Sequence, residues 1–168
     1  MRLGIVAGAA SPAHPEAVGP GCAMAALAFH LAEAAACFGH EVHLFAAGGS
    51  KRPSGARLHY VPGTYGILSV DCDAKAHEWH GELLRTCDVV HDLSPTLAVI
   101  EALYLDDPAF PYLYTVQEGD EQHPRYGRRN GVRSGGNLAV DDELVSSYLE
   151  LYGWVAAKQT WKEPVRCV

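Results

Sequence analysis

A histidine and an aspartate stand next to each other at the end of a short apolar run, Asp88-Val89-Val90-His91-Asp92. An imidazole beside a carboxylate can move protons near neutral pH, because the ordinary pKa of histidine is about 6.5. We therefore predict a catalytic role for His91 and Asp92, provided that both side chains face a cleft. The competing interpretation is that His91 is half-buried and packs at the end of a strand.

Four arginines form a basic cluster in a glycine-rich stretch of an otherwise acidic chain: Arg125, Arg128, Arg129 and Arg133. Guanidinium groups bind phosphate through charge-assisted hydrogen bonds, and the glycines leave backbone N–H groups free to wrap an anion. The cluster predicts a binding site for the phosphate of an acceptor or a nucleotide. The alternative is a disordered loop that its charge keeps soluble.

A metal site is conceivable where His77 and His80 lie three residues apart, with Cys72 and Asp73 just before them. These side chains are zinc ligands, but zinc sites also require a recognisable spacing of the whole ligand set, which is missing here. A solvated helix face is the better interpretation. We predict neither a metal nor a cofactor.

Aromatic residues near the end of the chain form either a partner-binding surface or the packed side of a last helix. We favour the core for Tyr148 and leave Trp154 and Trp161 open.

Composition excludes several functional classes. The 168 residues, 48% of them hydrophobic, suffice for one domain with its own core, and the net charge of -7 argues against nucleic-acid binding. No uncharged apolar run is long enough for a membrane span. Five cysteines without a C-x-x-C pair fit reduced thiols, and the chain enters its first strand without a signal-peptide core. We expect a cytoplasmic protein whose partners are small molecules or other proteins.

The elements that must position these residues follow from alternating apolar runs and helical stretches. Their order is β-α-β-β-α-β-α-β, and it predicts an α/β class with a Rossmann-like, doubly wound parallel sheet of five or more strands in the order 3-2-1-4-5. We assign one domain to 1–168, with a long loop at 119–140 and a C-terminal helix and tail at 141–168. The predicted strands are 3–8, 41–46, 57–61, 88–93 and 111–116, and the predicted helices are 22–38, 73–87, 95–105 and 141–158.

Ligands of such sheets bind at the carboxyl ends of the strands. The loops at that edge make Ser50, Ser94 and Glu118 candidates for ligand binding.

Four segments taken together resemble the N-terminal domain of glycosyltransferase family 4, whose enzymes have the GT-B fold. Their order and spacing are similar to the family over about 1–118. The segments are Leu3-Gly4-Ile5-Val6 through Gly19-Pro20-Gly21, Leu31-Ala32-Glu33 through Gly39-His40-Glu41-Val42 to Gly49-Ser50, Asp88 to Asp92, and Pro111 to Val116.

The resemblance implies a domain that binds the acceptor, with Gly19 and Gly21 near the phosphates of a nucleotide sugar. The second domain of that family has no counterpart in this chain. Sugar transfer would therefore need a separate donor-binding half, supplied by a partner chain or a homo-oligomer. Where many members carry a histidine after strand five, this chain has Gln117, which cannot exchange a proton near neutral pH. His123, Asp120 and Glu121 are the nearby candidates for that role. The alternative function is a non-catalytic Rossmann-like module that binds a ligand or a protein.

Overall fold

A parallel sheet of six strands lies at the centre of the part of the protein that the structure describes, residues 1–16, 22–62, 70–117, 131–134 and 142–157 of a computed structural model. The strands are β1 (Arg2–Val6), β2 (Glu41–Ala47), β3 (Arg57–Val61), β4 (Val89–Asp92), β5 (Tyr112–Gln117) and β6 (Gly131–Ser134). The helices are α1 (Cys22–Cys37), α2 (Val70–Arg85), α3 (Ala98–Asp106) and α4 (Asp142–Ala157). Across the sheet the order is β3-β2-β1-β4-β5-β6, and each neighbouring pair is parallel.

The predicted α/β class, the Rossmann-like sheet and the strand order 3-2-1-4-5 are confirmed. The prediction of five or more strands allows for the sixth, β6, but β6 lies inside the segment 119–140 that the sequence indicates as loop. Its four residues are too few to show an alternating pattern. The backbone of β5 supplies the partner, in register from Tyr114 with Gly131 to Gln117 with Ser134.

The two faces of the sheet carry different helices. On one face, Leu3, Ile5 and Leu44 pack in a core together with residues of α1 and α4. On the other, Phe45 and Val90 pack with residues of α2 and α3. Crossovers to both faces give the doubly wound arrangement. No helix within the described ranges has the length and apolar character needed to cross a membrane.

Glycine is required at two positions for different reasons. Gly39 follows α1 with φ of 82°, a left-handed conformation that ends the helix as the sequence predicts. Gly4 lies under α2, where an added Cβ would come within 3.2 Å of Cys87 Sγ and Val90 Cγ2. The missing side chain at Gly4 leaves room for Cys87, just after α2, and for Val90 on the neighbouring strand.

The last helix packs inward. The side chains of Tyr148 and Tyr152 are 2% and 0% exposed. The core interpretation of Tyr148 is therefore confirmed. Trp161 lies outside the described residues, and the structure describes only the backbone of Trp154, within α4.

Candidate functional site

Two loops begin side by side at the carboxyl edge of the sheet. The N–H of Leu93, just after β4, donates to the carbonyl of Val6 at the end of β1, at 2.8 Å. From β1 the chain crosses to α1 on one face, whereas from β4 it crosses to α3 on the other. The gap between β1 and β4 is therefore the topological switch point, where ligands of open α/β sheets bind.

The loop after β1 is fastened to the loop after β2. It turns at Gly8, which has φ of 78°. The Ser50 hydroxyl accepts a hydrogen bond from the N–H of Ala13 at 2.8 Å and donates to the carbonyl of Ala47 at 2.6 Å. The N–H of Lys51 donates to the carbonyl of Ala13 at 2.9 Å. These contacts support a structural role for Ser50, and its predicted contact with a ligand stays a prediction.

His91 is 1% exposed and faces α4. Its Nδ1 lies 2.7 Å from the hydroxyl of Tyr152 and its Nε2 lies 2.8 Å from Oγ1 of Thr115. Thr115 Oγ1 in turn lies 2.9 Å from the hydroxyl of Tyr148. Burial lowers the pKa of His91 to about 3, so the ring is neutral in the folded protein. The contacts support the packing interpretation, with deeper burial than the half-buried position that it assumed.

The side chain of Asp92 lies on the opposite face of the sheet, toward α3. Its carboxylate is fully buried and accepts hydrogen bonds from the N–H of Ser94 at 2.8 Å and from the N–H of Ile100 at 3.4 Å. Ile100 lies in the first turn of α3, whose N–H groups have no partner within the helix. A negative charge there also offsets the helix dipole. Because successive residues of a strand point to opposite faces, His91 and Asp92 do not form the pair that the sequence predicts.

Two features of the turn between β4 and α3 are energetically unfavourable. Ser94 is 1% exposed, and its hydroxyl has no hydrogen-bond partner among the residues described. Leu97, which precedes α3, has φ of 53° and ψ of 23° and makes no side-chain cap bond. A left-handed conformation at a residue other than glycine costs about 1–3 kcal/mol, and so does a buried polar group without a partner. Such costs concentrate at functional sites.

The sequence singles out Ser94 by its position at the edge but gives no sign of the strained Leu97. A leucine carries no turn signal of the kind that glycine or asparagine gives.

Gln117 is the last residue of β5 and lies at the carboxyl edge, in register with Ser134. Arg133 lies in β6, in register with Val116. The roles predicted for both stay predictions. The other candidates lie outside the described residues: Gly19, Gly21, Glu118, Asp120, Glu121, His123, Arg125, Arg128 and Arg129.

His77 and His80 make separate contacts. His77 Nε2 lies 3.5 Å from Oδ2 of Asp106 at the end of α3, and Arg85 also bonds that carboxylate. His80 Nε2 lies 3.0 Å from the carbonyl of Tyr60. Within the ranges described, no group of three or more histidine, cysteine, aspartate or glutamate side chains is arranged to hold a metal ion.

No protein-family model and no curated protein matches this chain. Among solved structures, it is similar to the crystal structure of the C-terminal domain of the coenzyme A biosynthesis bifunctional protein CoaBC. The identity is 14%, the TM-score is 0.44, and the match covers 90% of this chain and 69% of that chain. A likeness at this level says nothing about function.

The assignment to glycosyltransferase family 4 is wrong, since no family model matches any part of the chain. The described parts of the four segments that suggested it coincide with β1 and its turn, the junction of α1 with β2, β4, and β5. A buried strand followed by a glycine turn, or a helix ending at glycine before a strand, also occurs in other Rossmann-like sheets. The implied acceptor, nucleotide-sugar donor and donor-binding partner lose their support together with the family.

Proposed function

We propose that this chain is a Rossmann-like module that binds a small polar molecule at the carboxyl edge of its sheet, between the loops that follow β1 and β4. The observation that carries the proposal is the buried Ser94 hydroxyl, which has no partner among the described residues and lies at the topological switch point. The fold supports this location, because the switch point is where open α/β sheets bind their ligands.

The chemistry of the turn favours certain ligand groups. A hydroxyl can donate one hydrogen bond and accept others, so a hydroxyl, an amide or a phosphate oxygen of the ligand would satisfy Ser94. The buried Asp92 oxygens in the same turn accept hydrogen bonds, which favours a neutral or hydrogen-bond-donating group of the ligand at this point.

Two fastened loops support a site formed before the ligand arrives. Asp92 holds the turn after β4 through Ser94 and Ile100, and Ser50 holds the loop after β1 through Ala13. Pre-organised loops lose little conformational entropy when a ligand binds. The buried polar contacts therefore act as supports for a binding site.

The experiment is a binding screen with a matched pair of variants. Nucleosides, nucleotides, sugar phosphates and free sugars are tested by thermal shift and calorimetry against the parent, Ser94→Ala and Ser54→Ala. Ser54 is exposed and lies in the loop after β2, so its variant is the control. We expect at least one compound to bind the parent and the control equally and to bind Ser94→Ala about tenfold more weakly, about 1.4 kcal/mol. The proposal would be overturned if every compound that binds has equal affinity for the parent and Ser94→Ala, or if no compound class binds.

A further inference from the structure

Three histidines from three different elements contact one another on the face of the sheet that carries α2, His43 and His59 with stacked rings and His59 and His80 edge to face. They are His43 on β2, His59 on β3 and His80 on α2. The ring centroids of His43 and His59 are 5.1 Å apart, and those of His59 and His80 are 5.5 Å apart. Phe45 packs against His59 at 5.0 Å and against His80 at 5.4 Å. His59 therefore sits among two imidazoles and an apolar ring.

The hydrogen bonds of the three histidines form a directed chain. His43 Nε2 lies 3.2 Å from the Glu41 carboxylate, which can only accept, so His43 donates from Nε2. In a neutral His43 the other nitrogen, Nδ1, accepts, and it lies 2.9 Å from His59 Nε2, which donates. His80 Nε2 donates to the carbonyl of Tyr60 on β3 at 3.0 Å. This last bond ties α2 to β3.

The charges around His59 oppose its protonation. The positive groups near it are Arg57 on its own strand and, when charged, His43 and His80. The Glu41 carboxylate, which contacts His43, already pairs with Arg2 at 3.0 Å and lies 3.7 Å from Arg57. Burial and these neighbours lower the pKa of His59 to about 4. A protonated His43 would also lose the lone pair that accepts from His59.

We propose that His43, His59 and His80 form an acid-sensitive latch that holds β3 and α2 against β2 and releases this corner of the sheet while the other strands stay folded. β3 stands at the edge of the sheet, with β2 as its neighbour within the described residues. The corner also carries Tyr60 and Trp79, which are 57% and 66% exposed. An edge element opens at lower free energy than the central strands.

The sign of the pH dependence follows from the folded pKa of His59. A released His59 regains a pKa of about 6.5, so below that pH the released form binds a proton that the latched form, with a pKa of about 4, does not. The released population should be constant above about pH 7. It should grow about tenfold per pH unit between about pH 6 and 4, and level off below that range.

The test is hydrogen exchange of the full chain between pH 7.5 and 4, followed by mass spectrometry and corrected for the intrinsic exchange rate at each pH. We expect the protection of β3 and α2 to show an extra fall of about tenfold per pH unit below pH 6 and to stay weaker than the protection of β1, which exchanges only when the whole domain unfolds. In His59→Phe, whose ring can still stack on Phe45, and in His59→Gln, this extra fall should disappear.

Two results would overturn the latch. One is equal protection of β1 and β3 at every pH, which would mean that this corner opens only when the whole domain unfolds. The other is an extra fall in β3 that persists in every His59 variant that folds. Loss of the extra fall in either folded variant supports the latch, since neither phenylalanine nor glutamine titrates in this range.

Discussion

His91 Nδ1 and the Tyr152 hydroxyl lie 2.7 Å apart in the interior of the protein, and their contact joins β4 to α4. Both side chains are buried, so water cannot replace either partner. A buried polar group that loses its partner costs more free energy than an exposed one.

Tyr152→Phe should lower the free energy of unfolding by about 1–3 kcal/mol, because it leaves one nitrogen of His91 without its partner. Urea denaturation measures the change. Tyr104→Phe is the control, since Tyr104 is 39% exposed and water can satisfy its surroundings. Equal stability of the two variants would show that the contact between His91 and Tyr152 is not needed.

Acid should destabilise the protein through His91. Its folded pKa of about 3 is below its ordinary value of about 6.5, so the unfolded chain binds the proton first as the pH falls. The stabilising contribution is complete above about pH 6.5 and is lost toward pH 3, by about 1.4 kcal/mol per pH unit. Urea midpoints between pH 7.5 and 4.5 should fall less steeply in His91→Gln than in the parent. Parallel curves would mean that His91 titrates alike in both states.

Two serines at the carboxyl edge should respond to alanine with opposite signs. Ser94→Ala removes a buried hydroxyl without a partner among the described residues and should raise the free energy of unfolding by about 1 kcal/mol. Ser50→Ala removes the hydroxyl that bonds Ala13 and Ala47 and should lower it by about 1–3 kcal/mol. Thermal unfolding without added ligand measures both. A destabilised Ser94→Ala would show that the hydroxyl already has a partner.

Gly4→Ala should destabilise the domain by about 1–3 kcal/mol, because its Cβ would lie 3.2 Å from Cys87 Sγ and Val90 Cγ2. Gly153→Ala is the matched control. Gly153 is exposed on α4 and an added Cβ meets nothing within 4 Å, so alanine there should stabilise the helix by up to about 1 kcal/mol. Chemical denaturation of both variants measures these changes in the free energy of unfolding. A neutral Gly4→Ala would mean that Cys87 and Val90 can shift without loss of stability.

The strand order was predictable because each buried parallel strand is a short apolar run between turns, and crossovers leave few topologies. β6 was not, since its pairing comes from the backbone of β5 and not from its own pattern. The separation of His91 from Asp92 follows from the period of two in a strand, which the prediction of a joint site overlooked. The three histidines His43, His59 and His80 are far apart in sequence, and only the register of β2 with β3 and the packing of α2 bring them together.

The Asp92 carboxylate bonds both the turn at Ser94 and the helix at Ile100, so the turn cannot shift without dragging α3 along. That helix is a rod of nine residues, about 13 Å long, and its far end at Asp106 is tied to Arg85 on α2. These contacts connect the carboxyl edge of the sheet in one continuous series to α2, the helix that carries His80.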